Sequence, residues 1–174
     1  FGGAYAQVQI YLSNADGTLS RGQSTGLLPG LGGPSVGGGA VADVNGDGLV
    51  DVIIGASLAS PNGQYSGTTY VVFGKADGFA ASIDLSAIEA GTGGFVINGQ
   101  SVYDRSGRSV ASAGDVNGDG FDDLIVGAFG AEAAGRSYAG KSYVVFGKTG
   151  GFGASIDLSA VAAGTGGFVI NGQS

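Results

Sequence analysis

Apolar residues fall in short runs separated by glycine-rich and acidic turns. The segments DVIIGA (51–56) and DLIVGA (123–128) are almost continuously apolar, the pattern of a strand covered on both faces. TTYVVFG (68–74) and KSYVVFG (141–147) read the same way, as do GGAVADV (38–44), SVASAGDV (109–116) and two copies of FVING (95–99 and 168–172). Near the start, YAQVQIYLS (5–13) alternates polar and apolar residues as a half-buried strand does. NADG (14–17) then makes a turn, and TLSRGQST (18–25) reads as the returning strand of a hairpin. IDLSAIEAG (83–91) predicts one helical turn, closed by Gly91. Little helix is expected elsewhere.

These runs repeat. DVNGDG at 43–48 returns at 115–120, YVVFGK at 70–75 returns at 143–148, SIDLSA at 82–87 returns at 155–160, and GTGGFVINGQS at 91–101 returns whole at 164–174. The spacing changes by one residue between Val52 and Thr69, which marks a loop tolerant of length change. Three units follow: residues 1–36, the outer half of a preceding unit plus a linker; residues 37–101; and residues 102–174. Each full copy carries four strands. A four-stranded sheet with apolar residues on both faces must stack on neighbours, which predicts an all-β fold of antiparallel β-propeller blades, about two and a half in this chain. A β-sandwich and a β-solenoid are the competing architectures.

Composition supports short strands and tight turns: 38 of the 174 residues are glycine. There is no cysteine and no histidine, which excludes a disulfide framework and histidine-based catalysis or zinc ligation. No apolar stretch is long enough for a transmembrane helix. The formal charge of -7, with seven basic residues, argues against nucleic-acid binding. The chain opens on Phe1 with no leader before it, so it is expected to be a processed product or part of a longer polypeptide.

The acids concentrate in two nine-residue loops, DVNGDGLVD (43–51) and DVNGDGFDD (115–123), each between two strands. Loop positions 1, 3, 5 and 9 carry side-chain oxygens: Asp43, Asn45, Asp47 and Asp51 in one, Asp115, Asn117, Asp119 and Asp123 in the other. Position 7, Leu49 or Phe121, offers a backbone carbonyl, and Gly48 or Gly120 permits the bend that turns these oxygens inward. Hard oxygen donors without nitrogen or sulfur select Ca²⁺ over transition metals, so two Ca²⁺ are expected, one per loop. The bland alternative is that the Asp-Gly and Asn-Gly steps only make turns. A helix–loop–helix site would place Glu at position 12, where this chain has Ile54 and Val126.

The segments AVADVNGDGLVDVIIGA (40–56) and SVASAGDVNGDGFDDLIVGA (109–128), each followed by YVVFGK, resemble FG-GAP repeats, the propeller blades of integrin α-chains and of bacterial surface proteins. The hairpin with the first acidic loop is similar to the related VCBS-type repeat. The resemblance implies calcium in both loops and a closed ring of more blades than this chain encodes. The remaining blades would come from the same polypeptide or from assembled copies. The family's Gly-Ala-Pro is Gly55-Ala56-Ser57 and Gly127-Ala128-Phe129 here.

Little else carries chemistry. Asp104, Arg105 and Arg108 are expected to make a surface or inter-blade ion pair, and Asp84 and Asp157 to cap the turns that follow them. No nucleophile has a base beside it, and no enzyme active site is expected. The expected function is a calcium-stabilised extracellular or cell-surface adhesion or protein-interaction module, secreted and bacterial. Its partners would be other proteins, further blades or an extracellular polymer. The alternatives are a structural subunit of a larger assembly or filament, and an accessory sugar-binding domain of a secreted enzyme, for which Tyr65, Tyr103 and Tyr138 would supply stacking surfaces.

Overall fold

A computed structural model describes residues 11–13, 19–21 and 36–173. Of the N-terminal hairpin it describes two strands, β1 (Tyr11–Ser13) and β2 (Leu19–Arg21), paired antiparallel. The rest of the expected hairpin and most of the linker after it lie outside the described residues.

The chain is all-β, built as stacked propeller blades. The first blade runs β3 (Val36–Ala42), β4 (Asp51–Ala56), β5 (Thr68–Val72) and β6 (Gly94–Asn98), each antiparallel to the next. The second repeats it with β7 (Ser106–Gly114), β8 (Asp123–Ala128), β9 (Lys141–Val145) and β11 (Gly167–Asn171). The strands β4 and β8 start and end where their apolar runs do. The expected helical turn is α1 (Leu85–Glu89), and α2 (Leu158–Ala162) repeats it.

One element departs from four strands per blade. Residues Ser155–Asp157 of the second copy form β10, which joins the first blade as a fifth strand, parallel to β6. The same tripeptide at 82–84 forms no strand. Asp84 and Asp157 are both extended, at φ -85, ψ 117 and φ -93, ψ 130, so the copies differ in strand pairing and not in local conformation.

The main core is an inter-blade layer. Ile53, Val71, Phe95 and Ile97 of the first blade are fully buried against Leu124, Val126, Tyr143 and Val145 of the second, with Leu158 and Val161 of α2 closing the outer side. Phe152, just before β10, stacks on Phe95 with ring centroids 4.2 Å apart and planes 4° from parallel. On the inner side the strands approach through glycine. A Cβ on Gly55 would overlap the carbonyl oxygen of Gly107, which itself has φ +80. The opposite face of the first blade packs Ile54, Tyr70, Val72 and Val96 under Ile88 of α1.

Candidate metal centres

The two acidic loops join β3 to β4 and β7 to β8, so they lie at the same end of their blades. Their internal geometry is nearly identical. Asp43 accepts hydrogen bonds at Oδ1 from the N–H groups of Gly46 (2.8 Å) and Asp47 (3.1 Å), and at Oδ2 from Gly48 (3.0 Å). Asp115 accepts the equivalent three from Gly118, Asp119 and Gly120, at 2.7, 3.0 and 2.8 Å. Asn45 Oδ1 accepts from Asp47 N–H and its amide donates to Asp47 Oδ2 at 2.9 Å, while Asp47 Oδ1 accepts from Leu49 N–H. Asn117 and Asp119 repeat this, with Phe121 N–H as the last donor. Such closure needs left-handed backbone at the glycines, and Gly46, Gly48, Gly118 and Gly120 have φ between +70 and +92.

Positions 1, 3 and 5 of each loop are tied together by these hydrogen bonds, with Asp47 N–H and Asp119 N–H each shared by the residues at positions 1 and 3. Position 9 behaves differently. Asp51 and Asp123 are fully buried beneath their loops. Asp51 Oδ2 accepts from Val44 N–H (3.0 Å) and Oδ1 from Gly74 N–H (2.9 Å), and Asp123 makes the same pair with Val116 and Gly147. Each thus ties its loop to the end of the third strand of its blade. Burial raises the pKa of Asp51. The N–H groups of Gly74 and Val44 oppose that rise, and the nearby Asp47 and Asp43 carboxylates add to it. Asp115 is held below the usual carboxylate range, foremost by the N–H of Gly120. At position 7, Leu49 packs on Gly74 and Phe121 on Gly147, and the Phe121 ring also lies against Gly46 of the first loop. Asp122 joins the loops as well: its Oδ2 accepts from Asp43 N–H at 3.1 Å.

Among the described residues no three acidic side chains stand around one point as a finished cage. The oxygens are engaged by N–H donors instead. In donor chemistry the loops nonetheless fit a hard cation, since the first offers three carboxylates and the second four, each with an amide oxygen within nine residues, and in the first loop Asp47 and Asp43 are close enough to Asp51 to raise its pKa.

The other expected polar roles divide. Asp84 caps α1, accepting from Ser86 N–H at 3.0 Å. Asp157 makes no cap bond to α2. It accepts instead from the Asn62 amide of the first blade at 3.0 Å, because the docking of β10 turns it across the blade boundary. Asp104 is buried and accepts from Ser101 N–H, and Arg105 lies over the Phe129 ring at 5.4 Å, so the expected pairing of these two gives way to a turn bond and a cation–π contact. At the end of the blades opposite the acidic loops is an open polar cleft of about 450 Å³, flanked by the exposed rings of Tyr103 and Tyr138 and lined by Asp104, Glu132 and Lys141. Tyr65 contacts Tyr103 at 5.9 Å.

Comparison with known proteins agrees with the repeat. Residues 106–145 match the FG-GAP repeat and residues 1–54 an FG-GAP-like repeat, so each match contains one acidic loop. Integrin alpha-5 of Xenopus laevis is 34% identical over 118 residues, covering 64% of this chain and 10% of that protein. Integrin alpha-E of Homo sapiens is 33% identical over 141 residues, covering 78% of this chain and 11% of its own. Phosphatidylinositol-glycan-specific phospholipase D of Bos taurus is 34% identical over 112 residues, covering 60% and 12%. The chain therefore spans about a tenth of these relatives. It is an FG-GAP repeat protein whose blades resemble those of integrin α-chains. Its relatives include proteins named as integrins and proteins named as a phospholipase, so the repeat itself assigns no activity. No helix among the described residues is long and apolar enough to cross a membrane.

Proposed function

We propose that these blades form part of an extracellular protein-interaction module and that each acidic loop holds one Ca²⁺. The observation that carries the reading is the duplication. Two loops with the same oxygens at the same spacing adopt the same hydrogen-bonded curl at the same end of adjacent blades. Asp43, Asn45, Asp47, the Leu49 carbonyl and Asp51 would hold one ion, and Asp115, Asn117, Asp119, the Phe121 carbonyl and Asp123 the other. Bound calcium supplies two positive charges at each cluster of carboxylates that otherwise repel. The chain's own residues supply the rest. Backbone N–H groups orient the carboxylates, and the position 9 aspartates anchor each loop to its blade, so that loop order is coupled to blade order.

The interaction surface is assigned to the opposite end, where the β4–β5, β6–β7 and β8–β9 connections meet around Tyr103 and Tyr138. Loops carried on a rigid sheet stack are free to vary in sequence without disturbing the core. A second reading, accessory region of a secreted enzyme, is favoured by the phospholipase D relatives, and would leave the calcium role unchanged. The test is thermal unfolding with and without a chelator. A ligand that binds only the folded state stabilises by RT ln(1 + [L]/Kd), so at a hundredfold excess over Kd each site contributes about 2.7 kcal/mol. Chelation is expected to lower the melting temperature, and an unchanged melt would reduce both loops to turns.

A further inference from the structure

The two blades offer equivalent outer faces to unequal neighbours. In the first blade Phe95 and Ile97 are 0% exposed; their duplicates in the second, Phe168 and Ile170, are 42% and 54% exposed. What covers the first pair is the second copy: Phe152 on Phe95 and β10 along β6, within the inter-blade layer that also holds Leu124, Val126, Tyr143 and Val145. Val96 N–H, on the outer edge of β6, donates to the Ala154 carbonyl at 3.1 Å, while among the described residues β11 is hydrogen-bonded only to β9. The matching segment of the first copy shows the complementary lack. Phe79, the duplicate of Phe152, is 42% exposed against 8%.

We infer that the free edge of β11, with Phe168 and Ile170, is a docking site for a further blade of the same repeat, which enters with a Gly-Phe-x-x-Ser-Ile-Asp-Leu segment as a parallel strand. The register follows from the occupied copy. Ser155, Ile156 and Asp157 lie opposite Val96, Ile97 and Asn98, so the incoming Ser, Ile and Asp lie opposite Val169, Ile170 and Asn171. The incoming Phe stacks on Phe168 as Phe152 does on Phe95. One contact is not reproduced. Asp157 bonds to Asn62, but the corresponding loop positions of the second blade are Ala134 and Gly135. Strand pairing and apolar burial therefore carry this interface. The inference holds whether or not the acidic loops take a cation.

The test extends the full chain by one more copy of residues 102–174 placed after Ser174, which recreates the junction found at 101–102 because both copies end in GTGGFVINGQS. Amide exchange at Val169 and neighbouring β11 positions is expected to slow at least tenfold relative to the unextended chain. Unchanged exchange beside a folded third copy would overturn the inference. So would equal protection when that copy carries Ala for its entering Phe and Asp for its entering Ile. If the added copy does not fold, the peptide GGFGASIDLSAV, identical to residues 150–161, is titrated into the ¹⁵N-labelled chain. Saturable shifts confined to residues 167–171 support the site, and none at millimolar peptide counts against it. Concentration-dependent protection of β11 in the unextended chain, lost in Phe79→Ala, would make the occupant a second copy of the chain and would also overturn the assignment.

Discussion

Phe152→Ala is the substitution that most sharply separates docked from undocked copies of the repeat. The Phe152 ring is buried between the blades, stacked on Phe95, within 6.1 Å of the Phe73 centroid and under the Lys148 ammonium at 5.2 Å. Truncating a buried Phe costs about 3–5 kcal/mol in lost transfer energy and cavity formation. The site lies at the rim of the inter-blade layer, so partial collapse takes the transfer and cavity cost toward about 3 kcal/mol; loss of the parallel stack adds about 0.5–1.5 kcal/mol. A loss of about 3.5–4.5 kcal/mol lowers the melting temperature of a chain this size by roughly 7–18 °C. Its duplicate supplies the control: Phe79→Ala, in the same GKxxGF context but with the ring exposed, is expected to cost less than about 0.5 kcal/mol. Urea unfolding of both variants, followed by far-ultraviolet circular dichroism, gives the two values. Equal losses for the two, or a Phe152→Ala cost below about 1 kcal/mol, would refute the inter-blade role of this segment.

Three further outcomes follow from named contacts. Gly55→Val should destabilise by several kcal/mol or prevent folding, since its Cβ has no space beside the Gly107 carbonyl; denaturant melts read this, and wild-type stability would contradict the close approach. Asp123→Ala leaves the buried Gly147 N–H and the part-buried Val116 N–H without acceptors and is expected to cost about 2–4 kcal/mol even in chelator, whereas Asp119→Ala, on the exposed rim, should cost less than about 1 kcal/mol there. Asp104→Asn should stabilise the protein at neutral pH. Burial raises the Asp104 pKa in the folded state, so the fold disfavours its ionised form, and the wild type loses stability as pH rises through the carboxylate range. The advantage of the variant should be full at pH 7 and vanish in acid below the unfolded pKa. An advantage that grew in acid would reverse the assigned cause.

Much of the blade was legible because its signals are local. DVIIGA and DLIVGA could be placed to the residue since polar turns bound an apolar run on both sides, and the acidic loops since glycine and oxygen side chains alternate at fixed spacing. What escaped was everything decided by docking. Ser155–Asp157 is three residues long, and its partner lies in the other copy, so nothing within SIDLS distinguishes the paired strand at 155–157 from the same residues at 82–84, which form no strand. Asp157 abandons its cap for Asn62 for the same reason. In the loops, the oxygen pattern at positions 1, 3, 5 and 9 was readable. That position 9 is fully buried and holds two backbone N–H groups was not, because its Gly74 and Gly147 partners lie more than twenty residues downstream.

Calorimetric titration of the full chain with Ca²⁺ decides whether both loops are calcium sites. Two ions are expected to bind per chain, with dissociation constants on the order of 10⁻⁴–10⁻³ M or tighter, and one after Asp119→Ala. No heat with Ca²⁺, or a response to Zn²⁺ in its place, would contradict that expectation.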